Sequence, residues 1–482
     1  MSINSFLVGL IFLLNMIFAA IIIFLERRDA SATWAWILVL FFIPGLGFIL
    51  YILLGQNLSR RKMFHWEDQK KIGVDELIRK QLDAISKRQF CYLSDVEAEY
   101  HDLIYMHLLN NDALLTQDNE VEIFTDGKEK FERLLEDIKN AKDHIHMQYY
   151  IFRKDEIGQK LIRALTEKAR EGVKVRILYD DLGSRRLTKR FFKEFREAGG
   201  EVEAFFASKL RFINLRINFR NHRKLVIIDG KIGYLGGFNV GDEYLGSDPK
   251  FGYWRDTHLR IRGTAVLEIQ TRFILDWNQA SDRYDISYSE NLFPRDVSAG
   301  NVSMQIVSSG PDSVYEQIKN GYIKMIASAK ESILIQTPYF IPDASILDAL
   351  RIASLSGVDV KIMIPNKPDH PFVYWATTYY IGEMLQAGVK AYIYNNGFIH
   401  CKTIVVDGKI SSVGSANIDV RSFRLNFEAN AFIYNEKIAA KLTEHFYEDM
   451  KVSRELTLEK YQQRPLKIRF KESVSRLLSP IL

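Results

Sequence analysis

Two segments of the chain carry the same reactive set. In NHRKLVIIDGKIGYLGGFN, His222, Lys224 and Asp229 lead to Asn239; in IHCKTIVVDGKISSVGSAN, His400, Lys402 and Asp407 lead to Asn417. The histidines are 178 positions apart, and the asparagines keep that offset. One histidine near one lysine is common. A repeated order of histidine, lysine, apolar run, Asp-Gly and glycine-rich stretch marks a built site. Imidazole attacks or carries protons near neutral pH, and an ammonium offsets charge on a phosphoryl oxygen. Displacement at a phosphodiester places the attacking and leaving atoms in line across phosphorus. Two facing histidines suit that geometry. One attacks to give a phospho-histidine; the other protonates the leaving alkoxide, then deprotonates the incoming alcohol. Lys224 and Lys402 are expected to neutralise the equatorial oxygens.

Read as a strand, each motif puts its histidine and lysine on one face, because side chains two apart share a side. Asp229 and Asp407 have the opposite parity and precede glycine, a hairpin-turn signal, so scaffold support is expected of them. Gly236-Gly237 and Gly414-Ser415 are expected to let backbone approach a phosphate, with Asn239 and Asn417 offering amide donors. Each imidazole needs a group to fix its tautomer. Asp256 in YWRDTH and Glu428 in RLNFEAN occupy comparable places after the two motifs. Asp180-Asp181 ends a predicted strand and reads as a turn or helix cap. No HExxH or comparable ligand cluster occurs, so neither metal nor other cofactor is expected.

Around these segments the chain alternates strand and helix. VEIFTDG, HIHMQYYIF and VKVRILYDD read as strands, with helices over 128–141 and 158–171; MQIVSSGP, SILIQTPYF and VDVKIMIP repeat the order, with helices over 314–329 and 344–355. EGVKVRIL at 171–178 aligns with SGVDVKIM at 356–363, and AGGEVEAF at 198–205 with AGVKAYIY at 387–394. The spacing predicts an α/β protein of two related halves, mixed sheets flanked by helices, over 116–295 and 296–482. Residues 57–115 have a charged helical pattern and read as a connector. A chain of 482 residues suits two such bodies.

The first 56 residues differ. Phe6 to Leu25 is twenty residues without a charge, long enough to cross a bilayer as a helix. A second apolar stretch runs from Trp34 to Leu54 and contains Pro44-Gly45. Together they are expected to form a two-helix transmembrane hairpin. Arg60, Arg61, Lys62, Lys70 and Lys71 follow, against two arginines between the stretches, so both termini and the catalytic body are expected in the cytoplasm. A cleaved signal peptide lacks its basic start and cleavage site. The net charge of +5 comes without a basic tail, which argues against nucleic acid as partner. The segment SKLRFINLRINFRNHRK interleaves Lys209, Arg211, Arg216 and Arg220 with large apolar residues, and LKIRFKESVSRLLSPIL does the same at the C-terminus. Both are candidates for contact with anionic lipid. Cys91 and Cys401 have no zinc or disulfide spacing; Cys401 reads as a core residue, in a reducing compartment.

The duplicated motif resembles the phospholipase D superfamily. With ERRDASATWAWILVLFFIPGLGFILYILLG, YWRDTH, GFIHCKT, GSANIDVRSFRLNFEAN and RLLSPIL, nearly the whole chain resembles the bacterial cardiolipin synthases. The resemblance implies a multi-pass protein of the bacterial inner membrane, acting on phosphatidylglycerol. One phosphatidylglycerol would give its phosphatidyl group to another and release glycerol. The resemblance carries catalytic roles onto His222, Lys224, Asp229, His400, Lys402 and Asp407, with His222 as nucleophile and His400 as general acid and base. It matches Asp256 and Glu428 to the carboxylates that buttress the histidines. Two other readings stand beside it: a hydrolytic phospholipase D or nuclease with the same residues, and a membrane scaffold, which would have lost histidine or lysine.

Overall fold

The computed structural model describes residues 73–207, 216, 218–367, 369–477 and 479, with 30–43, 45–55, 64 and scattered positions between 9 and 20 before them. Each half is built outward from one strand. In His144–Tyr149, Ile145, Met147 and Tyr149 enter an apolar core while His146 and Gln148 face the helix Ala265–Ala280. There His146 Nδ1 lies 3.1 Å from Gln270 Oε1, and Gln148 Nε2 donates to Asp276 Oδ2 at 2.7 Å. The strand is buried on both faces, as a central strand covered by helices on both sides must be. Lys174–Asp180 and then Glu201–Phe205 run parallel on one side of it. Leu225–Ile228, Ile232–Gly236, His258–Arg262 and Thr116–Phe124 follow antiparallel on the other.

The second half repeats the order. Ser332–Gln336 has Asp359–Pro365 and Lys390–Tyr394 parallel on one side. Thr403–Val406, Ile410–Gly414, Asn426–Tyr434 and Val302–Ser309 follow on the other. Gln336 again meets an aspartate of the covering helix Glu436–Lys451, Asp449, at 2.8 Å. The expected helices lie at Gly127–Asn140, Glu156–Arg170, Gln317–Ser328 and Ala344–Leu355. Side chains of Asp126, Asp155 and Asp343 accept N–H groups at the starts of the first, second and fourth, which satisfies donors that a helix leaves orphaned. The half-sheets join where Thr116 pairs with Met304 and Asn119 with Val302. Beyond that point the same strand pairs inside its own half. Asn119 is buried; its amide donates to the Val302 carbonyl at 2.9 Å and its oxygen accepts from Ala265 N at 2.9 Å.

Helices Val74–Ser86, Asp95–Glu99 and His101–Asn111 pack on the second half, where Val74, Ile78, Leu103, Ile104 and Leu108 share a core with Ile318 and Tyr322. The second apolar stretch is not one straight span. It forms two helices, Ala30–Phe42 and Leu46–Leu54, with Gly45 at φ +82° between them. The rings of Trp36 and Tyr51 lie 5.2 Å apart, which requires the chain to double back; a continuous helix would hold them about 22 Å apart. A side chain at Gly47 would strike the Val39 carbonyl at 2.7 Å, so glycine permits the close return. Among the described residues no helix is long and apolar enough to cross a membrane. Most of Phe6–Leu25 lies outside them.

At both Asp-Gly turns the two residues have positive φ, +54° and +64° at Asp229-Gly230, +52° and +63° at Asp407-Gly408. That backbone suits a tight hairpin. The aspartates also tie the turn to the neighbouring strand. Asp229 accepts the N–H groups of Lys142, Asp143 and His144 at 2.8–3.0 Å, and Asp407 those of Lys330, Glu331 and Ser332 at 2.8 Å. Asp229→Ala should therefore cost about 1–3 kcal/mol through lost charge-assisted bonds. Thermal unfolding should show a lowered midpoint, while kcat of the folded enzyme stays within about threefold. A loss of kcat near that of a histidine variant would contradict this structural role.

Candidate active site

The motif histidines sit where strands break, not inside one strand as parity suggested. Arg220–Asn221 leaves its own half and pairs in parallel with Asn426–Phe427 of the other; Phe398–Ile399 pairs likewise with Trp254–Arg255. Residues 222–224 and 400–402 follow as irregular backbone before the sheet resumes. His222 N donates to the Phe427 carbonyl at 2.9 Å, and His400 N to that of Arg255 at 2.7 Å. The next residue of each borrowed strand is the orienting carboxylate. Glu428 Oε2 meets His222 Nδ1 at 3.0 Å, and Asp256 Oδ2 meets His400 Nδ1 at 2.6 Å. The braces are thus crossed: each half orients the histidine of the other.

A carboxylate only accepts, so each Nδ1 carries the proton and each Nε2 keeps its lone pair. Both imidazoles line one cavity of about 620 Å³, together with Asn239 and Asn417. Asp229 and Asp407 are not among its lining residues. Asn239 is already engaged, its oxygen accepting from Ile151 N at 3.1 Å and its amide reaching Tyr244 Oη at 3.3 Å. The Asn417 side-chain oxygen has no hydrogen-bond partner among the described residues. Lys224 and Lys402 lie buried beneath the imidazoles, each ammonium 2.5 Å from the carbonyl of its own motif histidine.

The glycines make room for protein neighbours: Gly236 for His258, Gly414 for Asn430 and Gly237 for a carboxylate. A Cβ on Gly237 would lie 1.9 Å from Asp256 Oδ1. At the equivalent position Ser415 donates to Glu428 Oε2 at 2.5 Å. Asp180 is a turn cap, accepting from Leu182 N and Gly183 N at 3.1 and 2.9 Å. Cys401 is buried beside Arg255. Of the basic run, 208–215 and 217 lie outside the described residues, while Arg220 lines the cavity.

Burial lowers the pKa of His222 against the opposing pull of Glu428. His400 falls to about 4 through burial and then Lys402, whose ammonium is 3.0 Å from Nδ1. Burial also pushes Lys224 down to about 7 and lowers Lys402. For Asp256 and Glu428 burial acts upward, but the adjacent imidazole and lysine charges outweigh it and hold both carboxyls below their usual range.

The family model described as cardiolipin synthase, PLD-like domain, matches residues 134–251 and 322–450, and one described as phospholipase D-nuclease N-terminal matches 13–56. The major cardiolipin synthase ClsA of Bacillus subtilis is 68% identical over 482 residues, covering 100% of both chains. The cardiolipin synthase of Listeria monocytogenes is 58% identical over the same length, again covering 100% of both. The chain belongs to the cardiolipin synthase family of phospholipase D-like proteins. Among solved structures, phosphatidylserine synthase of Haemophilus influenzae superimposes with a TM-score of 0.62 at 16% identity, over 81% of this chain and 100% of that one. That likeness concerns the fold.

Within this family member the pseudo-twofold holds for histidine, lysine and carboxylate and fails around them. Arg421 stands where the first half has Glu243, and Arg220 where the second half has Phe398. The wall beside His222 is cationic: Arg220 and Arg421 both act on Tyr150, whose ring is 4.8 Å from His222. The wall beside His400 is aromatic, with Trp254 and Phe398 at 5.2 and 6.1 Å. Of these wall residues the sequence singled out Arg220, as a lipid contact; the 178-residue offset sets Arg220 against Phe398 and Arg421 against Glu243 but finds neither Tyr150 nor Trp254. Also missed were the supports below, Arg223 bonded to Asp276 at 2.6 and 2.7 Å and Arg255 to Asp449 at 2.9 Å.

The crossed braces predict that Glu428→Gln and Asp256→Asn each lower kcat by about 10²–10⁴ without unfolding the protein, since an amide can favour the wrong tautomer. Steady-state kinetics with a melting curve would check this; near-full activity would contradict it. The lysine predicts a pH effect. Lys224 is charged below a pKa of about 7 and neutral above it, so kcat/KM should fall on the alkaline side. Lys224→Arg, whatever its absolute rate, should move that limb to higher pH.

Proposed function

We propose that the protein is a cardiolipin synthase that transfers a phosphatidyl group from one phosphatidylglycerol to another and releases glycerol. The observation that carries this reading is two Nδ1-braced imidazoles on the wall of one cavity. In the first step His222 Nε2 attacks phosphorus. The P–O bond to the head-group glycerol breaks, and the leaving oxygen takes a proton from His400. In the second step the glycerol hydroxyl of another phosphatidylglycerol gives its proton to His400 and attacks phosphorus. The P–N bond breaks, cardiolipin forms and His222 is regenerated. Resemblance to the superfamily supports His222 as the nucleophile.

A general acid must be protonated, yet burial and Lys402 favour the neutral form of His400. An entering phosphodiester anion changes that balance. Its charge opposes both lysines and favours the imidazolium, so the acid forms when substrate is present. Lys224 and Lys402 lie below the imidazoles and supply positive potential to the phosphoryl oxygens from there. Glu428 orients the nucleophile and Asp256 the acid. Asn417, with its unpartnered side-chain oxygen, is the better placed asparagine to meet a substrate group, because Asn239 is committed to Ile151 and Tyr244.

The N-terminal apolar stretches are membrane-embedded segments of the bacterial cytoplasmic membrane in this reading. Arg60, Arg61, Lys62, Lys70 and Lys71 after them, against two arginines between the stretches, support a cytoplasmic catalytic body.

Labelled phosphatidylglycerol vesicles separate transfer from hydrolysis. The intact enzyme should yield cardiolipin and free glycerol, and His222→Ala and His400→Ala essentially none. Phosphatidic acid as the main product would replace transfer by hydrolysis. Retained synthesis in both variants would remove the mechanism, and a trapped phosphoryl adduct on His400 would exchange the two histidine roles.

A further inference from the structure

We propose that the terminal helix Leu466–Leu477 and the adjoining start of the helix Pro371–Gln386 form a docking surface that seats the cavity mouth on an anionic lipid leaflet. The proposal rests on the lipid-substrate reading above. A helix on a protein surface ordinarily turns its apolar stripe inward. The terminal helix does the opposite. Glu472 and Ser475 are its buried residues, while Leu466, Phe470 and Leu477 are 77%, 71% and 72% exposed and Val474 is partly so. Positions 466, 470, 474 and 477 follow helical spacing, so they form one continuous outward stripe.

The charges beside that stripe have one sign. Lys467, Arg469 and Arg476 are exposed. The helix holds a single carboxylate, Glu472, which is buried and accepts from Arg464 Nε at 2.6 Å. The outer face therefore offers apolar and cationic groups and one hydroxyl, Ser473, but no acid. An acyl layer beneath anionic headgroups matches both at once. A purely protein partner would need an apolar groove rimmed with acids.

Position links the surface to the site. Lys471 Nζ lies 4.4 Å from the Trp375 ring, and Arg476 donates to Tyr379 Oη at 2.7 Å. The two helices thus run in the same direction, with their first turns at the same end. At that end Phe372 is 51% exposed, while its neighbours His370 and Val373 line the catalytic cavity. A phosphatidylglycerol must bring its headgroup to the histidines while both acyl chains stay in the leaflet. An apolar, cationic rim beside the opening shortens that path and lets the lipid enter without exposing its tails to water.

The test uses the full-length enzyme in vesicles of phosphatidylglycerol and phosphatidylcholine. Cys91 is exposed and is first replaced by serine; Ser473→Cys then carries an environment-sensitive dye. Lipids brominated on their acyl chains should quench the dye, and Leu466→Ser/Phe470→Ser should abolish the quenching. The same double variant should raise the apparent KM for phosphatidylglycerol in the vesicle surface at least fivefold. Its rate on monomeric dihexanoyl phosphatidylglycerol should stay within twofold, because that substrate reaches the cavity through water. Absence of quenching in the parent would overturn the proposal, as would equal losses on both substrates, the mark of a structural role. Dye signals that follow protein concentration instead of bromine would assign the face to a second copy of the chain. Failure of the enzymatic reading itself looks different: the parent would make no cardiolipin from either substrate.

Discussion

Each motif imidazole is held by the opposite half of the molecule, and the rest of the site depends on that exchange. The strand carrying Glu428 also takes the backbone N–H of His222, and the strand carrying Asp256 takes that of His400. Tautomer, ring orientation and main-chain position are therefore set together by one borrowed segment. Neither half on its own contains a braced histidine. Docking of the halves and assembly of the active site are a single event.

Beneath the braces lies a second repeated layer. A glutamine of each central strand and an arginine near each motif converge on one aspartate of the covering helix, Asp276 in one half and Asp449 in the other. Buried charges are tolerated when they are paired and hydrogen-bonded, and removal of one partner is costly. These pairs fix the floor on which the imidazoles stand. The dry surroundings also lower the basicity of both lysines and both histidines, so the protonation state of the site follows the charge of what enters it. Around this symmetric floor the cavity walls diverge, cationic beside His222 and aromatic beside His400.

The duplicated motif and the alternation of elements were legible because gene doubling prints the same pattern twice, and chance rarely does. The helices expected over 128–141 and 344–355 lie at Gly127–Asn140 and Ala344–Leu355, with Asp126 and Asp343 as their caps. Strand parity could not show that Arg220–Asn221 and Phe398–Ile399 desert their own sheets, since pairing partners are chosen by tertiary contact. For the same reason the parallel placement of Asp256 and Glu428 did not reveal that they cross. Gly237 looked like a phosphate seat because glycine signals close approach without naming what approaches; here it is a carboxylate. The apolar run from Trp34 to Leu54 read as a span from its length, but hydropathy is blind to the left-handed turn at Gly45 that sends it back on itself.

The narrow seam between the half-sheets has its own consequence. In the ladder that joins them Thr116 and Asn119 are the paired residues of the first half, and the buried amide of Asn119 adds a bond to the Val302 carbonyl there. Apolar side chains of both halves also share one buried cluster, Leu235 and Ile261 of the first with Val413 and Ile433 of the second. The two lobes are thus held in registry by a common core as well as by the crossed braces, so a change deep in that core can shift one imidazole against the other without touching either.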